Sequence, residues 1–281
     1  MMGRHWLQGG IAALVLGLAL PLHAQGSSGW PVAPLKAANL TLPVVAAWIP
    51  PGRDHPAPEA VATAAATEAP QTATPDESRP PFQLPFAGDP GPSTWLLVQA
   101  YGNTIFAYRE RLSIYGAGQG LHFGIDLGAR CGTPVLAIGD GVVVQVDNIY
   151  HGAGPHNVMI DHPNGYASFY GHLLARSPLT EGQPIRQGEV VGMSGDPDLT
   201  CSSRPHLHLE IRNAPSHRRA FNPMALIDAD WDRIALAGAS PVGFEQDLGD
   251  PGKWTHWGDQ PNVVFGEPLL NEYESAWPPD W

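Results

Sequence analysis

The sequence predicts an all-β core, a glycine-rich β-sandwich or partly open barrel, followed by a short C-terminal helix and an irregular tail. Three observations point there. Short β-prone runs at residues 95–101, 141–147, 157–162 and 166–170 follow one another closely. Gly, Pro, Asn and Asp separate them, as the turns of a sandwich or barrel require. A helical signal comes only late, where Asn222 is placed to cap a helix that has Pro223 at its first position and continues through residues 224–236.

The elements before and after the core follow in order. Arg4 and His5 precede an apolar run at residues 11–20, and a small residue, Ala24, offers a cleavage point, so residues 1–24 read as a signal peptide. That run is shorter than the roughly 20 apolar residues a spanning helix needs, and no later stretch reaches that length. The expectation is a secreted, extracellular or cell-envelope protein with no stable membrane span once the peptide is cleaved. Residues 25–94 mix prolines with an Ala/Thr/Pro/Glu-rich stretch that buries too little apolar surface to offset the entropy of ordering it. They read as a largely disordered linker. Residues 95–228 form the folded domain, and residues 229–281 hold the end of the helix and an acidic appendage with Trp254, Trp257, Trp277 and Trp281. Large aromatic side chains are costly to leave in water, which favours packing of this appendage on the domain.

Charge excludes one class of partner. The chain carries a net charge of −12. Residues 95–228 contribute 9 Arg against 11 acidic residues, and residues 229–281 contribute 2 basic against 10 acidic residues. No basic stripe exists to neutralise phosphates, so nucleic acid is not a partner. Two cysteines, Cys131 and Cys201, both fall in the domain. An oxidising compartment favours a bridge between them, with two buried free thiols as the alternative.

Three stretches carry chemistry: His122-Phe-Gly-Ile-Asp126, Tyr170-Gly-His172-Leu173, and Pro205-His206-Leu-His208-Leu-Glu210. In an extended strand alternate side chains share a face, so His206, His208 and Glu210 point one way while Leu207 and Leu209 enter an apolar layer. The even spacing of His122 and Asp126 lets both reach one site. Two imidazoles and a carboxylate suit zinc and leave a fourth position open. Glu210 reads as a group that orients a ligand ring.

The order of these motifs, with residues 132–144 and 182–192 between them, resembles the lysostaphin-type family of bacterial zinc peptidases over about residues 95–215. That resemblance implies one zinc per catalytic domain, held by His122, Asp126 and His208. It places His172 and His206 beside an attacking water and the scissile carbonyl. The implied activity is a zinc metalloendopeptidase acting on the peptides of peptidoglycan, with a zinc-retaining, non-enzymatic wall-binding or regulatory module as the alternative. One departure stands out: Arg204 occupies a position where family members commonly have glycine, and the loop before His206 is about two residues longer. The cleft next to the site is therefore expected to have its own shape.

Overall fold

The computed structural model describes residues 79–237, 244–250 and 252–273. The expected signal peptide, most of the expected linker, Trp277 and Trp281 lie outside them. Among the described residues the strands are β1 (Trp95–Gln99), β2 (Ile125–Ala129), β3 (Pro134–Leu136), β4 (Gly141–Val146), β5 (His156–Asp161), β6 (Tyr166–Leu173) and β7 (Pro184–Ile185). They continue as β8 (Val190–Met193), β9 (His206–Asn213), β10 (Arg219–Phe221), β11 (Phe244–Gln246), β12 (Trp254–His256) and β13 (Val263–Val264).

A nine-stranded sheet runs in the order β1-β2-β9-β6-β5-β4-β7, with β10 beside β9 and β13 beside β10. Its pairings are antiparallel. Two small ladders, β3 with β8 and β11 with β12, complete the β structure. The first of these adds Val135 and Val191 to the core that the large sheet builds.

The centre of the sheet is β9. One edge of it pairs with β6 along most of its length, while the other meets β2 at residues 206–209 and β10 at residues 211–212. Its alternation divides the side chains as the sequence predicts. Leu207, Leu209 and Ile211 are fully buried among Ile125, Leu127 and Val158, each burial contributing about 2 kcal/mol. The opposite face carries His206, His208, Glu210 and Arg212, and the last three are buried as well.

Three features depart from the sequence-based expectation. The packed structure begins inside the expected linker, because Phe82 and Phe86 are core residues. The Phe82 ring lies 4.8 Å from His162 and 5.9 Å from Tyr166. Prolines on both sides hide this alternating Phe-x-Leu-x-Phe pattern in the sequence.

The expected single helix is two, α2 (Pro223–Leu226) and α3 (Trp231–Ala237), besides an unexpected short helix α1 (Ile105–Arg109). Asn222 does cap α2 through Met224 N. Ile227 then turns extended, because the chain on either side of it bonds to Phe82: Phe82 N donates to Leu226 O and Asp228 N to Phe82 O. Asp230 restarts the helix by accepting from Arg233 N. Tertiary pairing has overridden local helix preference.

The described part of the tail, expected to be irregular, is partly regular. β13 joins the main sheet, Val263 is fully buried, and Val263 N donates to the hydroxyl of buried Tyr101. Asn271, also fully buried, donates to Gly120 O and Asn103 Oδ1.

Cys131 and Cys201 are joined in a disulfide that closes 70 residues of sequence. It ties the turn after β2 to the long loop before β9. Asp196 organises the same loop, accepting from Ser203 N and Arg204 N. Replacing both cysteines by serine is expected to lower stability by about 4 kcal/mol, as loop-closure entropy returns to the unfolded chain. Urea denaturation of the two proteins measures this, and an unchanged midpoint and slope would show that the bridge adds nothing to stability.

Candidate metal centre and cleft

The register of the sheet assembles the site. Asp126 of β2 lies directly opposite His208 of β9, and Gly171 of β6 flanks His208 on the other side. His122 sits just before β2 in a two-way backbone bridge with Gly102. Two glycines make room for this approach. A Cβ on Gly124 would stand 2.8 Å from the His208 ring and 2.6 Å from Leu209 O, and one on Gly171 would stand 2.4 Å from the Ala153 Cβ.

His122, Asp126 and His208 are all buried, and one ligand atom from each lies within 4.8 Å of the others. The His208 Nδ1 is 2.8 Å from Asp126 Oδ1 and 3.2 Å from His122 Nε2. The outer partners fix where the protons lie. His122 Nδ1 is 2.7 Å from the carbonyl oxygen of Ala100, which only accepts, so that nitrogen carries the proton and Nε2 presents a lone pair. His208 Nε2 faces Glu210 Oε1 at 3.2 Å and donates to it, which turns a second lone pair inward from Nδ1. Two lone pairs and a carboxylate converge once a cation displaces the proton that His208 Nδ1 otherwise shares with Asp126. Such a donor set calls for a cation, and its composition fits zinc.

The electrostatics agree. Burial would raise the Asp126 pKa, but His122 and His208 outweigh it and hold the carboxyl well below its ordinary range. Burial would lower that of His208, yet hydrogen bonds to Asp126 and Glu210 raise it to about 9. Positive charge is favoured at this point, whether as a proton or as a metal. Glu210 is fully buried and held below its ordinary range, against the effect of burial, by Arg212 and His208. Arg212 donates to both Glu210 oxygens, at 2.6 and 3.0 Å, and donates to His151 Nδ1 at 2.9 Å. Its guanidinium lies between the rings of Phe169 and Phe265, at 4.9 and 4.5 Å.

His172 and His206 stand beside this centre, their ring centroids 4.7 Å apart. Each donates Nδ1–H to a backbone carbonyl, His172 to Gly154 and His206 to Arg204. That leaves each Nε2 as the working nitrogen, and His206 Nε2 is 3.9 Å from Asp126 Oδ1. Burial, reinforced by neighbouring His208 and His206, pushes the His172 pKa down to about 4. The His172 backbone is left-handed, φ 57°, a conformation that costs a non-glycine residue about 1–3 kcal/mol. Its N–H bond to Ala153 O helps hold it there.

Asp126, His172, His206 and His208 line a cleft of about 1040 Å³. Its rim is apolar, formed by Ile105, Phe106, Ile114 and Trp254, all exposed. Arg204 also lines it, so the departure seen in the sequence does fall on the cleft wall. The four histidines and the aspartate singled out in the sequence are thus gathered at one place, and the disulfide anchors the loop that leads into two of them. Sequence reasoning missed Arg212, although it continues the alternation of His206, His208 and Glu210. It also missed Glu245, a cleft residue supplied by the tail, for which no local pattern gave a signal; Trp254, singled out there as a side chain expected to pack, lines the cleft as well.

Residues 120–223 match Peptidase family M23. The peptidoglycan DD-endopeptidase ShyA of Vibrio cholerae is similar, with 37% identity over 107 residues, covering 37% of this chain and 24% of that protein. The DD-carboxypeptidase/endopeptidase Mpg of Neisseria meningitidis serogroup B is 45% identical over 92 residues, covering 33% of this chain and 20% of its own length. The glycyl-glycine endopeptidase ALE-1 of Staphylococcus capitis is 30% identical over 113 residues, covering 40% of this chain and 30% of that relative. The chain thus spans less than a third of the length of these relatives. Among solved structures, the catalytic domain of lysostaphin from Staphylococcus simulans matches at 28% identity and a TM-score of 0.35, covering 44% of this chain and 86% of that one.

Proposed function

We propose that this chain, which carries a Peptidase family M23 domain over residues 120–223, is a zinc-dependent endopeptidase that hydrolyses peptide bonds of bacterial peptidoglycan. The observation that carries the reading is the convergence of His122 Nε2, Asp126 and His208 Nδ1 in a buried place at the foot of a cleft. The substrate class is drawn from the relatives, since ShyA is named as a peptidoglycan DD-endopeptidase and ALE-1 as a glycyl-glycine endopeptidase. In this reading residues 95–228 carry catalysis, and residues 1–24 direct export to the envelope or the exterior.

His122, Asp126 and His208 would hold one zinc ion. When bound, zinc supplies Lewis acidity, acidifying a water and polarising a carbonyl. The protein's own residues handle the protons. His172 is neutral at neutral pH, so its Nε2 is able to accept a proton or a hydrogen bond at the cleft surface. His206 presents the same nitrogen from the other side of the cleft floor. Between them they take the proton of the attacking water, bond the oxyanion and return a proton to the leaving amine. Glu210, clamped by Arg212, keeps the His208 ring in its orientation.

Chemically defined peptidoglycan, incubated with metal-stripped protein before and after zinc is restored, tests the reading. Soluble fragments with new amino termini, identified by mass, are expected only after zinc returns. Wall binding without product release by the zinc-restored protein would instead favour a non-enzymatic wall-binding module.

A further inference from the structure

The tail brings one carboxyl into the cleft that the proposed chemistry does not use. Glu245, on β11, lines the same cleft as the metal-site residues and is only 3% exposed. It has no hydrogen-bond or ion-pair partner among the described residues. Burial unrelieved by any partner pushes its pKa up to about 8. The neighbouring backbone is anchored, because Gln246 O accepts from the side chain of fully buried Asn103, immediately before the segment that leads into α1. Glu245 is therefore held on the wall by a fixed strand.

A buried carboxylate without a partner is unfavourable, so the group stays protonated until something brings it a compensating charge. Arg204 is the one arginine or lysine among the described residues lining the cleft, and no ion pair joins it to Glu245. The same cleft is lined by the exposed apolar side chains Ile105, Phe106 and Trp254. This combination suits a cation carried on an aliphatic stem, whose methylenes lie along the apolar wall.

We propose that Glu245 is a specificity residue whose carboxylate pairs with a free primary ammonium group of the bound peptide, while Ile105, Phe106 and Trp254 cover the chain that carries it. The inference rests on the reading of this cleft as a peptide-binding cleft. The ammonium group comes either from a side-chain amine or from the α-amine of a peptide strand, and both present the same chemistry.

Calorimetric binding to the full chain, wild type and Glu245→Gln, tests it with a stem-type tetrapeptide that contains one lysine. Three forms serve as probes: free, acetylated on the side-chain amine, and acetylated on the α-amine. The wild type is expected to bind the free form about tenfold more tightly than one of the acetylated forms, the magnitude of a charge-assisted hydrogen bond. The form that loses affinity identifies which amine is read. In Glu245→Gln that preference should shrink to about twofold or less, through weaker binding of the free peptide. Equal affinity of the wild type for all three forms, no measurable binding of the free form, or an undiminished preference in Glu245→Gln overturns the proposal. If the variant does not fold, the wild-type series decides. Hydrolysis followed in the same zinc-loaded samples keeps the two readings apart: a protein that distinguishes the amine but cuts nothing counts against the peptidase reading alone.

Discussion

If the chain is the proposed zinc peptidase, His208→Ala is expected to remove tight zinc binding and hydrolysis together. His208 is the hinge of the site, with Nδ1 directed at Asp126 and His122 and Nε2 at Glu210. Loss of groups that merely orient a metal ligand costs about 10–100-fold in affinity or activity, so loss of a ligand ring should exceed that range. The substitution also strands Glu210 with Arg212 alone and takes from Asp126 its shortest contact, leaving His122 and the more distant His206, so the melting temperature should fall as well. Zinc content after dialysis against a weak chelator, read beside turnover and a thermal melt, checks all three. Stoichiometric zinc at unchanged affinity in the variant would remove His208 from the ligand set.

Much of this centre could be read from the chain because the strand that carries it obeys a period of two. The alternation of His206, His208 and Glu210 with Leu207 and Leu209 gave both a face for the core and a face for the chemistry. Even spacing between His122 and Asp126 was the weaker clue, since only Asp126 is in a strand and His122 is held by its bridge to Gly102. What joins the motifs is register, with Asp126 opposite His208 and Gly171 flanking it. Pairing between strands 82 residues apart in sequence cannot be read from local pattern. The resemblance supplied that step.

The misread parts share a cause: in each, a distant partner decides the local conformation. Phe82 and Phe86 lie in a proline-rich stretch that looks unable to pack, yet the sheet supplies the surface that buries them. The same Phe82 backbone interrupts the expected helix at Ile227. The tail's acidity suggested an appendage, and its placement against Tyr101, Asn103 and Gly120 depends on groups more than 140 residues away. That contact is how Glu245 and Trp254 come to line the same cleft as His206 and His208.

His172→Ala and His206→Ala should separate chemistry from metal binding. Neither ring belongs to the three-donor cluster, and each is tied through Nδ1 to a backbone carbonyl, so its removal leaves His122, Asp126 and His208 in place. Both variants are therefore expected to bind zinc as the wild type does. Their turnover should drop by about 100-fold or more, the usual contribution of a positioned acid–base or oxyanion partner. The rings lie 4.7 Å apart over one cleft floor, and in the proposed mechanism they act on the same protons. Residues that work as a unit give non-additive losses, so the double variant should be little slower than the slower single one. Zinc analysis and kcat on a defined wall peptide decide the matter. Normal turnover in either single variant would take that histidine out of the mechanism, whereas loss of zinc would make it a ligand and require the three-donor assignment to be redrawn.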